Sequence, residues 1–303
     1  MLNIIQKRKI WLTLSSIAVI LSIIFLILWG LNLGIDFTGG GLLEVKYNKD
    51  RISVGEMQEK LSDLDLKSLI VQPVGEQNMI LRFQNINEEK HQEILNRLNN
   101  IDTATASGTQ PLIVQELRFD SVGPTIGDEL KSKSVTAMIV VLIAIILYIA
   151  WAFRKVSKPV ASWKYGMSAI IALFHDVIIT LGVFAVLGHF YGIEVTSAFV
   201  AAILTVLGYS VNDTIVVFDR IRENLPKSND DFENTINISV NQTIKRSINT
   251  SLTTLLVLLS VLFWGGGSIR DFVLALSIGV FVGTYSSIFL ASPTLVVWEK
   301  MKK

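Results

Sequence analysis

Three ionisable side chains lie within or beside long apolar stretches of this 303-residue sequence. Asp213 lies in GYSVNDT at 208–214, and Asp176 follows His175 in another apolar run. Arg246 directly precedes a third apolar run. A charge at membrane depth costs roughly 3 kcal/mol on insertion scales, so such a residue is a functional candidate by default. Asp213, Arg246 and Asp176 are therefore candidate proton-relay residues.

The spacing around Asp213 predicts its depth and its partner. It lies six residues before Asp219, which at 1.5 Å per helical residue places it roughly 9 Å below the edge of the span. Arg246 is expected to open the next span from the same side, within reach of Asp213. The pair is then either a static ion pair that pins two helices or a carboxylate that exchanges a proton beside Arg246. The residues alone leave both interpretations open.

Asp176 has a stronger structural alternative. A polar residue near a helix crossing often makes an interhelical hydrogen bond and nothing more. We therefore favour that interpretation for Asp176 and keep a direct proton role as the alternative. The adjacent His175 ranks lower as a candidate.

Composition predicts a membrane protein around these residues. Half of the residues are hydrophobic, only 17% are charged, and the mean hydropathy is +0.50. A bilayer core of roughly 30 Å needs about 20 apolar helical residues. Six stretches approach that length: about 10–30, 135–153, 167–188, 196–218, 247–264 and 272–296. The predicted fold class is thus an α-helical integral membrane protein with six transmembrane helices.

Lysine and arginine in the short loops predict the orientation of the spans. One side collects Lys7, Arg8, Lys9, Arg154, Lys155, Lys158, Lys164, Arg220, Arg222, Lys227, Lys245, Arg246, Lys300, Lys302 and Lys303. The opposite short loops contain only Arg270. The richer side is expected to be the cytoplasm, so both termini lie inside and residues 31–134 lie outside.

The segment between the first two spans has ordinary polar content and a different periodicity. Strands are predicted at Leu42–Tyr47, Ser68–Pro73, Asn78–Phe83 and Pro111–Phe119, and helices at Ser53–Leu64 and Asn87–Leu98. Ser53 and Glu56 predict a capping box at the start of the first of these helices. The order β-α-β-β-α-β is the ferredoxin-like α+β pattern. The expected domains are 1–30 (tail and first span), 31–134 (extracytoplasmic ferredoxin-like domain) and 135–303 (five-span bundle). Asn99–Gln110 is expected to be a loop, and His91 a solvated residue without a role.

Several functional classes lack their motifs. The net charge is +1 with no long basic block, so nucleic acid is not an expected partner. Cysteine is absent, which excludes disulfides and thiol chemistry. The sequence has no phosphate-binding loop and no metal-ligand constellation. We expect no enzyme activity, no cofactor and no metal.

Four segments resemble the signatures of the SecF family. They are LGIDFTGG at 33–40, Val122-Gly123-Pro124, His175-Asp176-Val177 and GYSVNDTIVVFDRIREN at 208–224. Gly41 departs from the pattern, since the family often has a hydroxyl residue there. The resemblance covers essentially the whole chain.

The resemblance implies an accessory of the Sec channel in the inner membrane, related in fold to the proton-driven RND exporters. Six spans would be half of a twelve-span unit completed by SecD. The implied partners are SecD, the Sec channel with its accessory subunits, unfolded preprotein and the lipid bilayer, and the implied coupling ion is the proton. Asp213 and Arg246 fall on the proton-pathway positions of the family.

Two other functions stay open at this point. An RND-type proton-coupled efflux transporter for small molecules would share the fold, but such pumps usually carry two large external loops in a longer chain. A structural membrane scaffold would tolerate Asp213→Asn.

Overall fold

The computed structural model describes residues 1–64, 66, 68–84, 87–99, 113–153, 161–265 and 267–300. It forms two compact units. The first contains Met1–Asn32 and Ser134–Lys303, and the second contains Leu33–Lys133.

The helices and strands follow one another in this order along the chain. The helices are α1 (Arg8–Trp29), α2 (Ile35–Thr38), α3 (Val54–Leu61), α4 (Glu88–Asn99), α5 (Pro124–Ala152), α6 (Ser162–Tyr191), α7 (Ser197–Asn224), α8 (Phe232–Trp264), α9 (Gly267–Ser286) and α10 (Ser292–Lys300). A π turn, Ser287–Ala291, joins α9 to α10. The strands are β1 (Gly40–Tyr47), β2 (Ile70–Val74), β3 (Asn78–Phe83) and β4 (Val114–Val122).

The predicted six membrane helices are confirmed, although several extend beyond the apolar runs. The largest difference is α8, which begins at Phe232 rather than near residue 247. Hydropathy detects only the apolar part of a helix, and at 1.5 Å per residue this 33-residue helix is roughly 50 Å long. Arg246 therefore lies inside α8, and the prediction that it opens the helix is wrong.

The polar N-terminal part of α8 forms hydrogen bonds with the first residues of the chain. Asn237 Oδ1 accepts the backbone N–H groups of Ile4 (3.0 Å) and Ile5 (3.2 Å). Asn241 accepts the N–H of Leu2 at 2.8 Å and donates to its carbonyl at 2.9 Å. These amides satisfy backbone groups that precede α1, which explains why α8 continues so far beyond its apolar stretch.

Small residues allow the close helix contacts of the membrane unit. A Cβ placed on Gly182 of α6 would lie 2.3 Å from the Cβ of Ser22 on α1. A Cβ on Gly279 of α9 would lie 2.2 Å from the Val206 side chain on α7. The GxxxG step at Gly279 and Gly283 therefore serves packing within this chain.

The second unit has the predicted ferredoxin-like topology. Its four strands form an antiparallel sheet in the order β2-β3-β1-β4, with α3 between β1 and β2 and α4 between β3 and β4. Alternate strand residues such as Leu43, Val45, Met79 and Leu81 are buried. The strand β4 begins at Val114, three residues later than predicted, and residues 100–110 of the predicted loop lie outside the described residues.

The glycine pair before β1 is required by the backbone. Gly39 has φ +70° and Gly40 has φ +129°, which side-chain-bearing residues rarely adopt. A Cβ on Gly40 would also lie 2.8 Å from the carbonyl oxygen of Phe83. At Gly41 the Phe83 ring occupies the place of a Cβ, 2.3 Å from its ideal position. The departure at Gly41 thus has a packing explanation within the domain.

His91 is buried, so the prediction of a solvated side chain is wrong. It is 4% exposed, and its ring stacks on Phe119 with 3.8 Å between centroids. Nδ1 lies 3.2 Å from Glu88 Oε1, and Nε2 lies 3.3 Å from Glu116 Oε2. The polar neighbours of His91 in sequence hid the fact that this face of α4 packs on β4.

The start of α3 provides a testable local interaction. Ser53 Oγ accepts the N–H of Glu56, and the Glu56 carboxylate accepts the N–H of Ser53 at 2.9 Å, which confirms the predicted capping box. The Ser53 backbone N–H, followed by the Ser53 hydroxyl group, favours the ionised carboxylate and lowers the pKa of Glu56 below its ordinary value. The ionised carboxylate therefore stabilises the folded helix above the ordinary pKa, and this contribution disappears as the pH falls through the lowered value.

We expect Ser53→Ala to lower the stability of α3 by about 1 kcal/mol, which speeds amide exchange in its first turn roughly fivefold. Glu56→Gln is expected to remove the pH dependence of that protection after correction for intrinsic exchange rates. Hydrogen–deuterium exchange of the full chain measures both, with α4 as the internal reference. Unchanged exchange in Ser53→Ala would show that the cap does not limit opening of α3.

Candidate functional site

Asp176 lies at the junction of three helices and is completely buried. His175 Nδ1, beside it on α6, lies 2.9 Å from its Oδ1. Ser210 Oγ of α7 donates to Oδ2 at 2.5 Å, and Ser286 Oγ of α9 donates to the same oxygen at 2.8 Å. Both carboxylate oxygens are thus engaged, so Asp176 does make the interhelical hydrogen bonds that the sequence suggested.

The other ring nitrogen of His175, Nε2, takes no part in the contact with Asp176. The residue is 3% exposed, and among the described residues Nε2 has no hydrogen-bond partner. His175 and Ser15 of α1 border two cavities of about 320 and 180 Å³. A buried polar nitrogen usually has a partner, but most residues around both cavities are apolar.

Asp213 lies on the next turn of α7 from Ser210, and it is held by hydroxyl groups from two other helices. Ser247 Oγ of α8 donates to Oδ1 at 2.6 Å. Ser287 Oγ, the first residue of the π turn, donates to Oδ2. The carboxylate is only partly buried.

The predicted contact between Arg246 and Asp213 is not formed. Arg246 immediately precedes Ser247 on α8, and its side chain is exposed. Residues i and i+1 of a helix point about 100° apart, so Ser247 can reach α7 only if Arg246 points elsewhere. Asp213 therefore contacts Ser247 of α8 and not the expected Arg246. A proton-relay role for Arg246 stays a prediction.

A polar strip follows the exposed sides of α7 and α8 beside Asp213. Its members are uncharged or cationic residues in membrane-spanning helices, all exposed in this chain: Thr205, Gly208, Asn212, Arg246, Asn249, Thr250 and Thr253. Polar and charged groups are costly against hydrocarbon. We call this set the α7/α8 polar strip.

Further hydroxyl groups extend the network from α7 across α8 to α9. Tyr209 Oη donates to Ser251 Oγ at 3.0 Å, and Ser251 Oγ lies 2.5 Å from Thr284 Oγ1. Ser251 also lies 2.9 Å from the carbonyl oxygen of Ser247. The sequence pattern identified the two carboxylates but not the serines that contact them. On α8 the hydroxyl residues Ser247, Ser251 and Thr254 recur every three or four positions and gave such a signal, whereas Ser286 and Ser287 did not.

The two carboxylates share a chemical property that suits proton exchange. Each carboxylate accepts hydrogen bonds from two serine hydroxyl groups, Asp176 also lies beside His175 Nδ1, and among the described residues neither forms an ion pair with Lys or Arg. Among the described residues, no group of three or more His, Cys, Asp or Glu side chains is arranged to hold a metal ion. A proton-relay role for Asp176 and Asp213 stays a prediction.

Gly283 positions one of these hydroxyl groups, which gives a prediction. A Cβ on Gly283 of α9 would lie 2.9 Å from the Cβ of Ser210 and 3.2 Å from its Oγ. We expect Gly283→Val to push Ser210 away from Asp176 and to lower the thermal stability of the purified protein by about 1–3 kcal/mol through overpacking. Gly208→Val is the matched control, since a Cβ there meets nothing within 4 Å. Equal stability of the two variants would contradict the close α7–α9 contact.

The chain is similar to one protein family over nearly its whole length. Residues 103–301 match the family described as Protein export membrane protein SecD/SecF, C-terminal, and residues 27–50 match the SecD/SecF GG motif. The chain is 42% identical to Protein translocase subunit SecF of Thermobaculum terrenum, over 99% of this chain and 94% of that protein. It is 38% identical to the Haemophilus influenzae protein of the same name, over 94% and 82%.

Solved structures show the same fold. The crystal structure of SecDF, a translocon-associated membrane protein from Thermus thermophilus, superposes with a TM-score of 0.82 at 33% identity. The chain is matched over 99% of its length and spans 39% of that solved chain. SecDF in the super-membrane-facing form gives a TM-score of 0.65 at 34% identity.

Proposed function

This chain belongs to the SecD/SecF family of protein-export membrane proteins, and we propose that it acts as an auxiliary subunit of the Sec export machinery. In this role it uses the proton-motive force, together with SecD, to promote movement of unfolded preproteins across the membrane. The observation that carries the proton-driven part is the pair of carboxylates, Asp176 and Asp213, held by hydroxyl groups between membrane helices.

The α7/α8 polar strip supports an association with SecD in the membrane. Arg246 and Asn212 belong to the strip and flank the Ser247–Asp213 hydrogen bond in sequence. A second helical bundle packed on this strip would shield its polar groups from lipid. The solved SecDF chains are more than twice as long as this chain, which leaves room for such a bundle within the same assembly. Arg246 would then act at the interface and not in a contact within this chain.

The proton step follows from the geometry of Asp213. A proton that arrives through the interface with SecD neutralises the carboxylate, which then donates a hydrogen bond where it had only accepted them. The serine that faces the protonated oxygen, Ser247 on Oδ1 or Ser287 on Oδ2, must reorient in response, so α8 or the π turn after α9 receives the change directly. The two helices pass it on as a shift in their packing, and no nucleotide or bound cofactor takes part.

We place the chain in the inner membrane with both termini in the cytoplasm. The arginine and lysine distribution supports this orientation. The ferredoxin-like domain then lies outside, where it contacts emerging preprotein. No group of the chain is assigned a catalytic role, and the named relatives are translocase subunits. Neither small-molecule efflux nor a purely structural role is favoured by these relatives.

A complementation experiment tests the proposed function. Native SecF is depleted from a bacterial host, this chain is supplied with its cognate SecD, and maturation of an exported precursor is followed by pulse labelling. We expect the pair to restore maturation and the chain without its SecD to restore less. Failure of the pair, with both proteins present in the membrane, would contradict the proposal and return efflux to consideration.

A further inference from the structure

Two consecutive serines, the last residue of α9 and the first residue of the π turn, contact different carboxylates. Ser286 donates to Asp176 and Ser287 donates to Asp213. Successive helical residues point about 100° apart, so one helix can face two partners on either side. Both side chains are fully buried. The hydroxyl groups that contact the two candidate proton-binding groups therefore belong to residues joined by one peptide bond.

Each of these hydroxyl groups has a second acceptor in its own helix. Ser286 Oγ lies 3.1 Å from the carbonyl oxygen of Gly283, and Ser287 Oγ lies 3.0 Å from that of Thr284. A serine hydroxyl has only one proton to donate. It can therefore bond fully to the carboxylate or to the backbone, but not to both.

The charge of the carboxylate decides between the two acceptors. An ionised carboxylate is the stronger acceptor and holds the serine proton. A protonated carboxyl group instead donates to the serine oxygen, which releases the serine proton to the backbone carbonyl three residues earlier. The only covalent bond that forms is the O–H bond of the carboxyl group, on the oxygen that faces the serine, and the serine keeps its own proton.

The backbone at this position is irregular. Ser287 begins the π turn that joins α9 to α10. Insertions of this kind occur mostly as single turns and frequently at functional sites. Stronger hydrogen bonds from the two serines to the Gly283 and Thr284 carbonyls would change the backbone hydrogen bonding immediately before the π turn.

We propose that Ser286 and Ser287 form a paired hydroxyl switch, which couples protonation of Asp176 and Asp213 to the hydrogen bonding of α9 at its π turn. This inference rests on the proposed proton-driven function and deepens it. Ser286 and Ser287 are positioning residues in this account, because the protons are bound by the carboxylates.

Other titratable groups lie on the helices that pack around the two carboxylates and must be distinguished from the switch. Apart from Asp176 and Asp213, the described titratable or charged residues are His175 and His189 within 167–189 of α6, Tyr209 within 197–218 of α7, Lys245 and Arg246 within 245–264 of α8, and Tyr285 within 272–286 of α9, while α1 has none after Lys9. His175 contacts Asp176 directly. The test therefore follows carboxyl and backbone signals separately.

Infrared difference spectroscopy provides both signals. The chain is reconstituted with its SecD in lipid nanodiscs and acidified, which produces carboxyl C=O bands and an amide I change. Asp176→Asn and Asp213→Asn assign the two carboxyl bands. We expect Ser286→Ala to shift only the Asp176 band, Ser287→Ala to shift only the Asp213 band, and the double variant to lose the acid-induced amide I change.

Matched controls separate the switch from ordinary hydrogen bonding. Ser210 and Ser247 donate to the same two carboxylates, and no hydrogen bond to a carbonyl of their own helix is described for either. Ser210→Ala and Ser247→Ala should shift carboxyl bands but keep the amide I change. Ser277 of α9 bonds only the Val273 carbonyl, so Ser277→Ala should change neither signal.

Two results would overturn the inference. One is an amide I change that persists in Ser286→Ala/Ser287→Ala, and the other is a carboxyl signal without an Asp176 contribution. If the double variant does not fold, the two single variants give the same answer, because each should remove part of the amide I change. Wild type that restores export while these spectra contradict the switch would refute this inference and leave the proposed function intact.

Discussion

Asp213→Asn is expected to reduce export stimulation to the level of cells that lack the chain. Asparagine has nearly the same shape as aspartate and can still accept the Ser247 hydroxyl, which lies 2.6 Å from Oδ1. It cannot gain or lose a proton near neutral pH, so the charge change that reorients Ser247 and Ser287 is abolished. Pulse-labelled maturation of an exported precursor measures the effect at matched membrane levels of the two proteins.

The control for this prediction is Ser277→Ala, which removes a buried hydroxyl from α9 without touching either carboxylate. We expect this variant to export like wild type. Normal export by Asp213→Asn would leave the family assignment unaffected. It would show that Asp213 is a structural residue, as the scaffold interpretation requires.

Asp176→Asn is expected to have a comparable effect on export, with an added cost in stability. Oδ2 accepts both Ser210 and Ser286, while Oδ1 faces His175 Nδ1. An amide nitrogen in place of Oδ2 would oppose the Ser210 and Ser286 donors. In place of Oδ1 it could donate to Nδ1 only if the His175 proton moved to Nε2, which is buried without a partner among the described residues. Either arrangement leaves a buried group unpaired, which costs about 1–3 kcal/mol. Export and the thermal stability of the purified chain are therefore measured together.

The two roles of Asp176 give different results in this experiment. A proton-relay role predicts low export per folded molecule even at temperatures where the variant is stable. A purely structural role predicts normal export per folded molecule and only a smaller amount of protein. The second result would remove Asp176 from the proton pathway and restrict the relay to Asp213.

The sequence was sufficient to predict the fold, because long-range order here follows from local patterns. Six apolar runs predict six helices regardless of how the helices pack. Period-two and period-3.6 segments between the first two runs predict the α+β domain, and the Ser53–Glu56 capping box was visible as a motif. These features depend on residues that lie near one another in the chain.

The site was only partly predictable, since its hydrogen bonds join residues 34 to 110 positions apart. Intramembrane charge identified Asp213 and Asp176 but not their partners. Ser286 and Ser287 lack a distinctive signal, because serine is common in membrane helices. Arg246 was predicted to contact Asp213 because α8 was expected to begin at Arg246. In the structure α8 begins at Phe232, so this reason does not hold.

His91 shows the same limit in the other domain. Its sequence neighbours are Glu and Lys, so composition favoured exposure, but the contact that buries it comes from Phe119 on β4. A residue at the border of a helix face is decided by the element packed on it, and that element is 28 residues away.

Proton flux through the assembly tests the central claim most directly. The chain and its SecD are reconstituted in liposomes that contain a pH-sensitive dye, and an inward proton gradient with a membrane potential is imposed. We expect acidification of the interior with wild type and the rate of empty liposomes with Asp213→Asn. Equal flux in the two preparations would contradict a proton relay through Asp213.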